Sequence, residues 1–109
     1  MILIHSTLFQ QANFITLLKE LKEAFTPEGF LLTAAVSAGH PTIDAAYDVP
    51  GMNKYLDILN LMAYDFHGAW EKFTHHQTPL YAYPSDAGKD YEDFNVVSYI
   101  LVHYYKKMI

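Results

Sequence analysis

ILNLMAYDFHGAW, residues 58 to 70, opens with an apolar run and closes with polar and aromatic side chains. The apolar part, Ile58 to Tyr64, is typical of a strand that is buried on both faces of a parallel sheet. FLLTAAV, residues 30 to 36, is a second run of the same kind, and turn-forming residues flank it. Two such runs with helical sequence around them predict an α/β fold built on about two parallel strands with flanking helices.

Helices are predicted on both sides of these strands. An amphipathic helix from Gln11 to Phe25 is indicated by apolar residues at helical spacing: Phe14, Leu17, Leu18, Leu21 and Phe25. A short helix is expected from Pro50 to Leu56 and a last helix from about Phe94 to Lys106. The segments 37–50 and 65–91 contain Gly, Pro and scattered polar residues, which predicts loops. A loop as long as the second is usually functional or disordered, and its aromatic residues favour function.

Composition excludes several classes of protein. The chain has 109 residues, of which 51% are hydrophobic, so it can bury a core, but it is too short for a complete barrel enzyme of about 250 residues. No run reaches the roughly 18 apolar residues that a membrane span needs, and Met1 to Ile4 lacks the features of a signal peptide. The net charge is −5 and every cation is a lysine, which argues against nucleic-acid binding. Without cysteine, disulfides and thiolate metal sites are excluded.

Candidate site residues follow each strand, where ligands bind in parallel α/β folds. One group is Ser37 to Gly39 and the other, richer group is Tyr64 to Gly68. Met62 and Tyr64 lie on the same face of the second strand because side chains alternate along it. The phenol of Tyr64 and the carboxylate of Asp65 could together stabilise a developing charge. Trp70 offers a flat face on which a sugar ring can stack.

Each of these residues also has a structural interpretation. Met62 and Trp70 could belong to the core. Tyr64 could be a surface aromatic with a satisfied hydroxyl group. Asp65 could cap the turn that follows it.

Two other chemistries are less well supported. Asp65, His67, His75 and His76 are residue types that bind zinc, but their spacing matches no established ligand pattern, so no metal is predicted. A catalytic triad using Ser37 lacks the sequence of a nucleophile elbow. On residues alone, the chain is part of an α/β fold with a polar and aromatic loop.

FLLTAAVSAG (30–39), YLDILNLMAYDFHGAWE (55–71) and TPLY (78–81) together resemble glycoside hydrolase family 18, the chitinases and chitinase-like proteins. NFITLLKELKEAF (13–25) resembles the helix that follows the catalytic strand of that family. The resemblance implies a partial TIM (β/α)8 barrel, with this chain supplying the fifth and sixth strands. Residues 1–109 would then form part of a family 18 catalytic domain.

The resemblance also implies a substrate. Family members cleave chitin, a β-1,4-linked polymer of N-acetylglucosamine, and use the N-acetyl group of the substrate as the nucleophile. No cofactor or metal is implied, and chitin or a chito-oligosaccharide is the implied partner. Most members are extracellular, which implies the same location here.

The resemblance also implies roles for single residues, through the match of the MAYDFHGAW string to the family. Tyr64 should hydrogen-bond the N-acetyl group, Asp65 should contact the sugar at or beside the cleavage position, and Met62 should line the pocket floor. Trp70 should stack on a sugar on the leaving-group side. The end of the first strand would border the same pocket with Ala35 and Ser37.

The general acid of the family is missing from this sequence. It is a Glu at the end of a DxxDxDxE motif, whereas MILIHSTLFQQ (1–11) stands in that place and Glu20 is the first acidic residue. We therefore expect little or no hydrolysis by this chain. Three interpretations of the chain are consistent with the sequence. It is part of an active chitinase, a non-catalytic chitin-binding protein of the lectin or growth-factor type, or a nonfunctional remnant. Unpaired strand edges would favour self-association.

Overall fold

The structure, a computed structural model, describes residues 8–105 and residue 107. Its main elements are, in order, α1 (Leu8–Phe25), β1 (Thr33–Ser37), α2 (His40–Ala46), α3 (Val49–Asn53), β2 (Ile58–Met62) and α4 (Val96–Ser98). A π-helix, Tyr99–Tyr105, continues α4, and two 3-10 turns are formed by Thr26–Glu28 and Pro84–Asp86. Among the helices described, none combines the length and the apolar character needed to cross a lipid bilayer.

The two strands pair in parallel, as the sequence predicts. The register joins Thr33 to Ile58 at one end and Ser37 to Met62 at the other. Ala34 and Val36 face the helices, as Leu59 and Leu61 of β2 do. The opposite face was expected to be buried too. It is exposed at four positions: Thr33, Ala35, Ile58 and Asn60. Nothing in the described part of the chain covers that face.

The core lies between the sheet and the helices. It joins side chains from nearly every element: Leu18, Val36, Ile43, Val49, Met52, Phe66, Tyr99 and Tyr104. Among the α1 side chains whose burial is described, Leu18 is the buried one, and Phe14, Ile15 and Leu21 pack around it while partly exposed. One stripe of α1 therefore packs on the core, and its lysines and glutamates lie outside, as the amphipathic spacing predicts. Leu17, expected in the same stripe, is 43% exposed.

β1 begins later than its apolar run suggests, whereas β2 begins at Ile58 as predicted and ends at Met62, before Tyr64. Phe30 and Leu31 are 61% and 64% exposed, and β1 starts only at Thr33. At this end Asp57 accepts hydrogen bonds from Lys22 Nζ at 2.6 and 2.7 Å and from the backbone N–H of Leu32 at 2.8 Å. The carboxylate thereby fixes where α1 and the strands meet.

The segment 37–50, expected to be a loop, contains α2 and the start of α3. Gly39 precedes α2 and Pro41 lies in its first turn, where the missing N–H of proline costs nothing. Asp48 caps α3 by accepting a hydrogen bond from Gly51 N at 3.0 Å. The loop prediction was wrong because glycine and proline act here as helix starts rather than as breakers.

The last helix differs from the prediction, because it is not a continuous α-helix. Asn95 caps α4 by accepting from Ser98 N at 2.9 Å, and the backbone then widens into the π-helix. In a π-helix the hydrogen bonds span five residues, so side chains five positions apart lie on nearly the same face. Tyr99 and Tyr104 are five apart and are 2% and 3% exposed. The wider turn thus buries both tyrosines against the sheet.

Candidate functional site

A cavity of about 400 Å³ opens at the carboxyl ends of β1 and β2. Nine residues line it: Ser37, Ala38, Gly39, Met62, Tyr64, Asp65, Phe66, Phe94 and Tyr99. Its walls are mainly apolar, and the lining residues include one serine, two tyrosines and one aspartate. Such a mixture of apolar walls and a few polar groups is typical of small-molecule sites.

Ser37, the last residue of β1, is held by two phenols. Its backbone N–H donates to the Tyr47 hydroxyl at 3.2 Å, and its carbonyl accepts from the Tyr104 hydroxyl at 2.7 Å. Burial, with a smaller contribution from Tyr47, raises the pKa of Tyr104, so this phenol stays a hydrogen-bond donor. The Ser37 hydroxyl oxygen accepts from Gly39 N at 3.0 Å, which closes the turn at the rim of the cavity.

In the turn that follows β2, two exposed residues are followed directly by two buried ones. Tyr64 and Asp65 are exposed, whereas Phe66 and His67 are buried. Asp65 has a backbone φ of 58°, which is unusual for a residue with a side chain, although Asp tolerates this region better than most. The Phe66 ring stacks on Tyr99 with centroids 5.1 Å apart and anchors the turn to the core.

Gln77 ties the far end of the loop to this turn. Its side-chain Nε2 donates to Asp65 Oδ1, and its carbonyl accepts from Phe66 N at 3.0 Å. Residues 65 to 77 therefore form a closed loop whose two ends are joined beside the cavity.

Trp70 stands outside the cavity on this closed loop and is 68% exposed. Its ring lies directly over Gly68: a methyl group added there would be 2.3 Å from Cη2 and Cζ3. Only a residue without a side chain leaves room for the ring in this position. The exposed indole face is free to stack on a planar or ring-shaped ligand.

Two histidines hold the interior of the loop. The imidazoles of His67 and His75 stack with centroids 4.1 Å apart. His67 Nδ1 is 3.0 Å from Glu71 Oε1, and His75 Nε2 is 3.0 Å from Asp86 Oδ2. Each imidazole thus faces a carboxylate, and the network joins residues 67–75 to the 3-10 turn at Asp86.

This arrangement does not assemble the residues of the metal hypothesis. The Asp65 carboxylate bonds to Gln77, and the nearest partners of the two stacked histidines are Glu71 and Asp86. Within residues 8–105 and 107, no group of three or more His, Asp or Glu is placed to hold a metal ion.

Four of the six predicted site residues lie together in the cavity: Ser37, Met62, Tyr64 and Asp65. Ala35 lies on the uncovered face of the sheet but is not among the residues that line the cavity. Trp70 is outside the lining as well, and its exposure shows that the interpretation of Trp70 as a core residue was wrong. Three contributors were not foreseen: Gln77, Phe94 and Tyr99. They lie 12 to 34 residues beyond Asp65, and only the tertiary fold brings them back to it.

Residues 5–108 match the family model for glycosyl hydrolases family 18. The chain belongs to this family. It is 46% identical over 87 residues to probable chitinase 10 of Drosophila melanogaster, a match that covers 80% of this chain and 4% of the fly protein.

Solved structures of family 18 proteins give the same result. An immunomodulatory active chitinase from Trichuris suis matches with a TM-score of 0.80 and 38% identity over 90% of this chain and 28% of that one. Human YKL-39, described as a pseudo-chitinase with retained chitooligosaccharide binding properties, matches with a TM-score of 0.76 and 38% identity over 91% of this chain and 29% of that one. The family 18 chain therefore spans less than a third of each of these relatives. The predicted fold class is confirmed: two parallel strands with flanking helices, a part of the family's α/β barrel.

Proposed function

We propose that this family 18 chain binds chito-oligosaccharides, β-1,4-linked chains of N-acetylglucosamine, at the carboxyl ends of β1 and β2. The observation that carries the proposal is the cavity that joins Met62, Tyr64 and Asp65, with Trp70 exposed on the adjoining loop. A saccharide needs hydrogen-bonding groups for its amide and hydroxyls and apolar surface for its ring faces, and this site supplies both.

Each side chain has a role in the proposed complex. The Tyr64 hydroxyl donates to the N-acetyl oxygen, and the Asp65 carboxylate accepts from the sugar. Met62 forms the apolar floor, and Ser37 with the nearby Ala35 borders the site. Trp70 stacks on a further sugar outside the cavity. The closed loop 65–77 supports this division, because it carries both Asp65 and Trp70.

The 109 residues alone bind without cleaving the glycosidic bond. This part of the proposal rests on the absence of Asp and Glu from Met1 to Lys19. Residues 1–7 lie outside the described residues, and the rest of MILIHSTLFQQ, from Leu8, belongs to α1. Asp65, which accepts from Gln77, is assigned to sugar binding and Glu71 faces His67 inside the loop, so the proposal gives neither the role of general acid.

Two larger settings fit such a chain. In the first, residues 1–109 are part of a family 18 catalytic domain, and an extracellular chitinase barrel is completed by further strands. In the second, the protein is a chitin-binding lectin or growth-factor type, for which the retained chitooligosaccharide binding described for human YKL-39 is the precedent. A family DxxDxDxE motif encoded upstream in frame would favour the first.

Retention on chitin beads tests the proposal. The wild-type chain should be retained, and Trp70→Ala should reduce retention by about tenfold, because an aromatic–sugar stacking contact is lost. Tyr81→Ala is the matched control, since Tyr81 is also 68% exposed but lies beyond the closed loop 65–77 that carries Trp70. Its retention should stay at the wild-type level.

Equal retention of the wild type and Trp70→Ala would contradict the assigned site, and no retention of the wild type would contradict binding itself. The same wild-type preparation should release no fluorophore from a chitotriose glycoside. Turnover above the buffer blank would show that the chain has a proton donor.

A further inference from the structure

Gln77 makes two hydrogen bonds to the turn that carries Asp65. Its Nε2 donates to Asp65 Oδ1, and its backbone carbonyl accepts from Phe66 N at 3.0 Å. The first bond fixes a carboxylate and the second fixes the peptide next to it. The two partners lie 12 positions apart in the sequence, so the pairing is tertiary rather than local.

The Asp65 backbone needs such support. A φ of 58° is costly for a residue with a side chain and persists only where the surroundings hold it. The buried Phe66 ring, stacked on Tyr99, holds the turn from one side, and Gln77 holds it from the other. Without Gln77 the Asp65 side chain, which is exposed, would be free to rotate in solvent.

Gln77 does not line the cavity, whereas Asp65 does. A neutral amide that donates to Oδ1 holds the Asp65 side chain and leaves the carboxylate charge in place. We propose that Gln77 is a positioning residue for sugar binding and acts through Asp65. The inference rests on the proposed function and adds to it a residue that never touches the ligand.

Gln77→Met tests the inference, because methionine has a similar length and cannot donate a hydrogen bond. Binding of chitopentaose is followed by the fluorescence of Trp70, the single tryptophan of the chain. The dissociation constant should rise about fivefold, the factor that one typical hydrogen bond supplies. Gln77→Glu should weaken binding at least as much, since it places a carboxylate against Asp65.

Gln11→Met is the matched control. The Gln11 side chain also makes a tertiary hydrogen bond, from Nε2 to the Ala45 carbonyl at 2.7 Å, but this bond joins α1 to α2. Its loss should leave the dissociation constant unchanged.

A double-mutant cycle separates positioning from general stabilisation. If Gln77 acts through Asp65, then Gln77→Met should have no further effect on binding in an Asp65→Ala background. An equal fivefold loss in both backgrounds would overturn the inference, as would wild-type affinity of Gln77→Met.

A measurement without sugar keeps the two proposals distinguishable. The side-chain amide resonances of Gln77 should shift in Asp65→Ala, because the carboxylate they bond to is gone. Unchanged resonances would overturn the inference whether or not the wild type binds. Shifted resonances with a wild type that binds no sugar would support the contact and overturn the proposed function.

Discussion

The carboxylate of Asp57 shows at the residue scale how a single side chain organises the amino end of the sheet. The hydrogen-bonded ion pair with Lys22 lowers the pKa of Asp57, and the hydrogen bond from the Leu32 backbone lowers it further. The Asp57 N–H donates in turn to the Leu32 carbonyl at 2.9 Å. The entry into β1 and the entry into β2 are thus joined through one residue.

Because the pKa of folded Asp57 lies below its unfolded value, its stabilising effect is complete above about pH 4 and is lost as the pH falls through the lowered value. Asp57→Asn keeps the size of the side chain and removes the charge. We expect its melting temperature to be a few degrees below wild type at pH 7 and the gap to close as the pH falls through the lowered pKa of folded Asp57. Thermal melts followed by circular dichroism from pH 2 to pH 8 measure this.

Glu23→Gln serves as the control for Asp57→Asn. It disrupts the Lys19–Glu23 pair, whose side chains are 56% and 67% exposed, and exposed pairs contribute little. A gap between Asp57→Asn and wild type that stays constant from pH 7 to pH 2 would contradict the role given to the Asp57 charge.

The sequence predicts which residues line the cavity where strand geometry decides their place. Met62, Tyr64 and Asp65 follow from the end of one strand and from alternation along it. Gln77 and Tyr99 do not, because their contribution depends on how a long loop and a π-helix return to the strand ends. Short-range sequence patterns do not predict such tertiary contacts.

At the scale of elements, the spacing of hydrophobic residues predicts which helices and strands are present better than it predicts where they begin and end. It identifies α1 and both strands, and α1 proves three residues longer at its start than expected. The segment 37–50 was wrongly predicted as a loop because glycine and proline, here Gly39, Pro41 and Pro50, occur both where a helix is interrupted and where a helix begins. The π-helix was beyond reach, since α- and π-helices share the same apolar composition.

The α3 helix depends on a glycine for reasons of space. A methyl group at Gly51 would lie 2.3 Å from Asp48 Oδ2 and 3.0 Å from Ile15 Cδ1. Gly51→Ala should therefore lower the free energy of unfolding by about 1–3 kcal/mol, although glycine to alanine usually stabilises a helix. Urea unfolding of the wild type and the variant measures the change.

A clash with the Asp48 cap also predicts coupling between the two positions. The double variant Asp48→Ala/Gly51→Ala should lose less stability than the two single variants added together. Strict additivity, or a Gly51→Ala protein more stable than wild type, would show that Asp48 and Ile15 move aside without cost.

At the scale of the whole molecule, the sheet is covered on one side only. Within the part of the chain that is described, β1 and β2 pair with each other and have no further strand beside them. Ile58 is 47% exposed on the open face, and Ala35 is exposed beside it. A sheet with open edges and with apolar side chains on an uncovered face is a template for further pairing.

We therefore expect the isolated chain to self-associate through the sheet. Sedimentation velocity should show a weight-average mass that rises with protein concentration. Ile58→Lys, which places a charge on the open face, should shift the distribution toward monomer. A wild type that sediments as one monomeric species at all concentrations and melts cooperatively would contradict this expectation.

The register between the strands has a consequence for how the chain folds. Each residue of β1 pairs with the residue 25 positions later in β2. Closing a loop of this size costs little more entropy than closing one half as long, and low contact order goes with fast folding. The pair of strands and the helices between them therefore form a local unit of the chain, whose core Phe66, Tyr99 and Tyr104 complete later in the sequence. A barrel built from such units can grow strand by strand along the nascent chain, with each completed pair offering its free edge to the next.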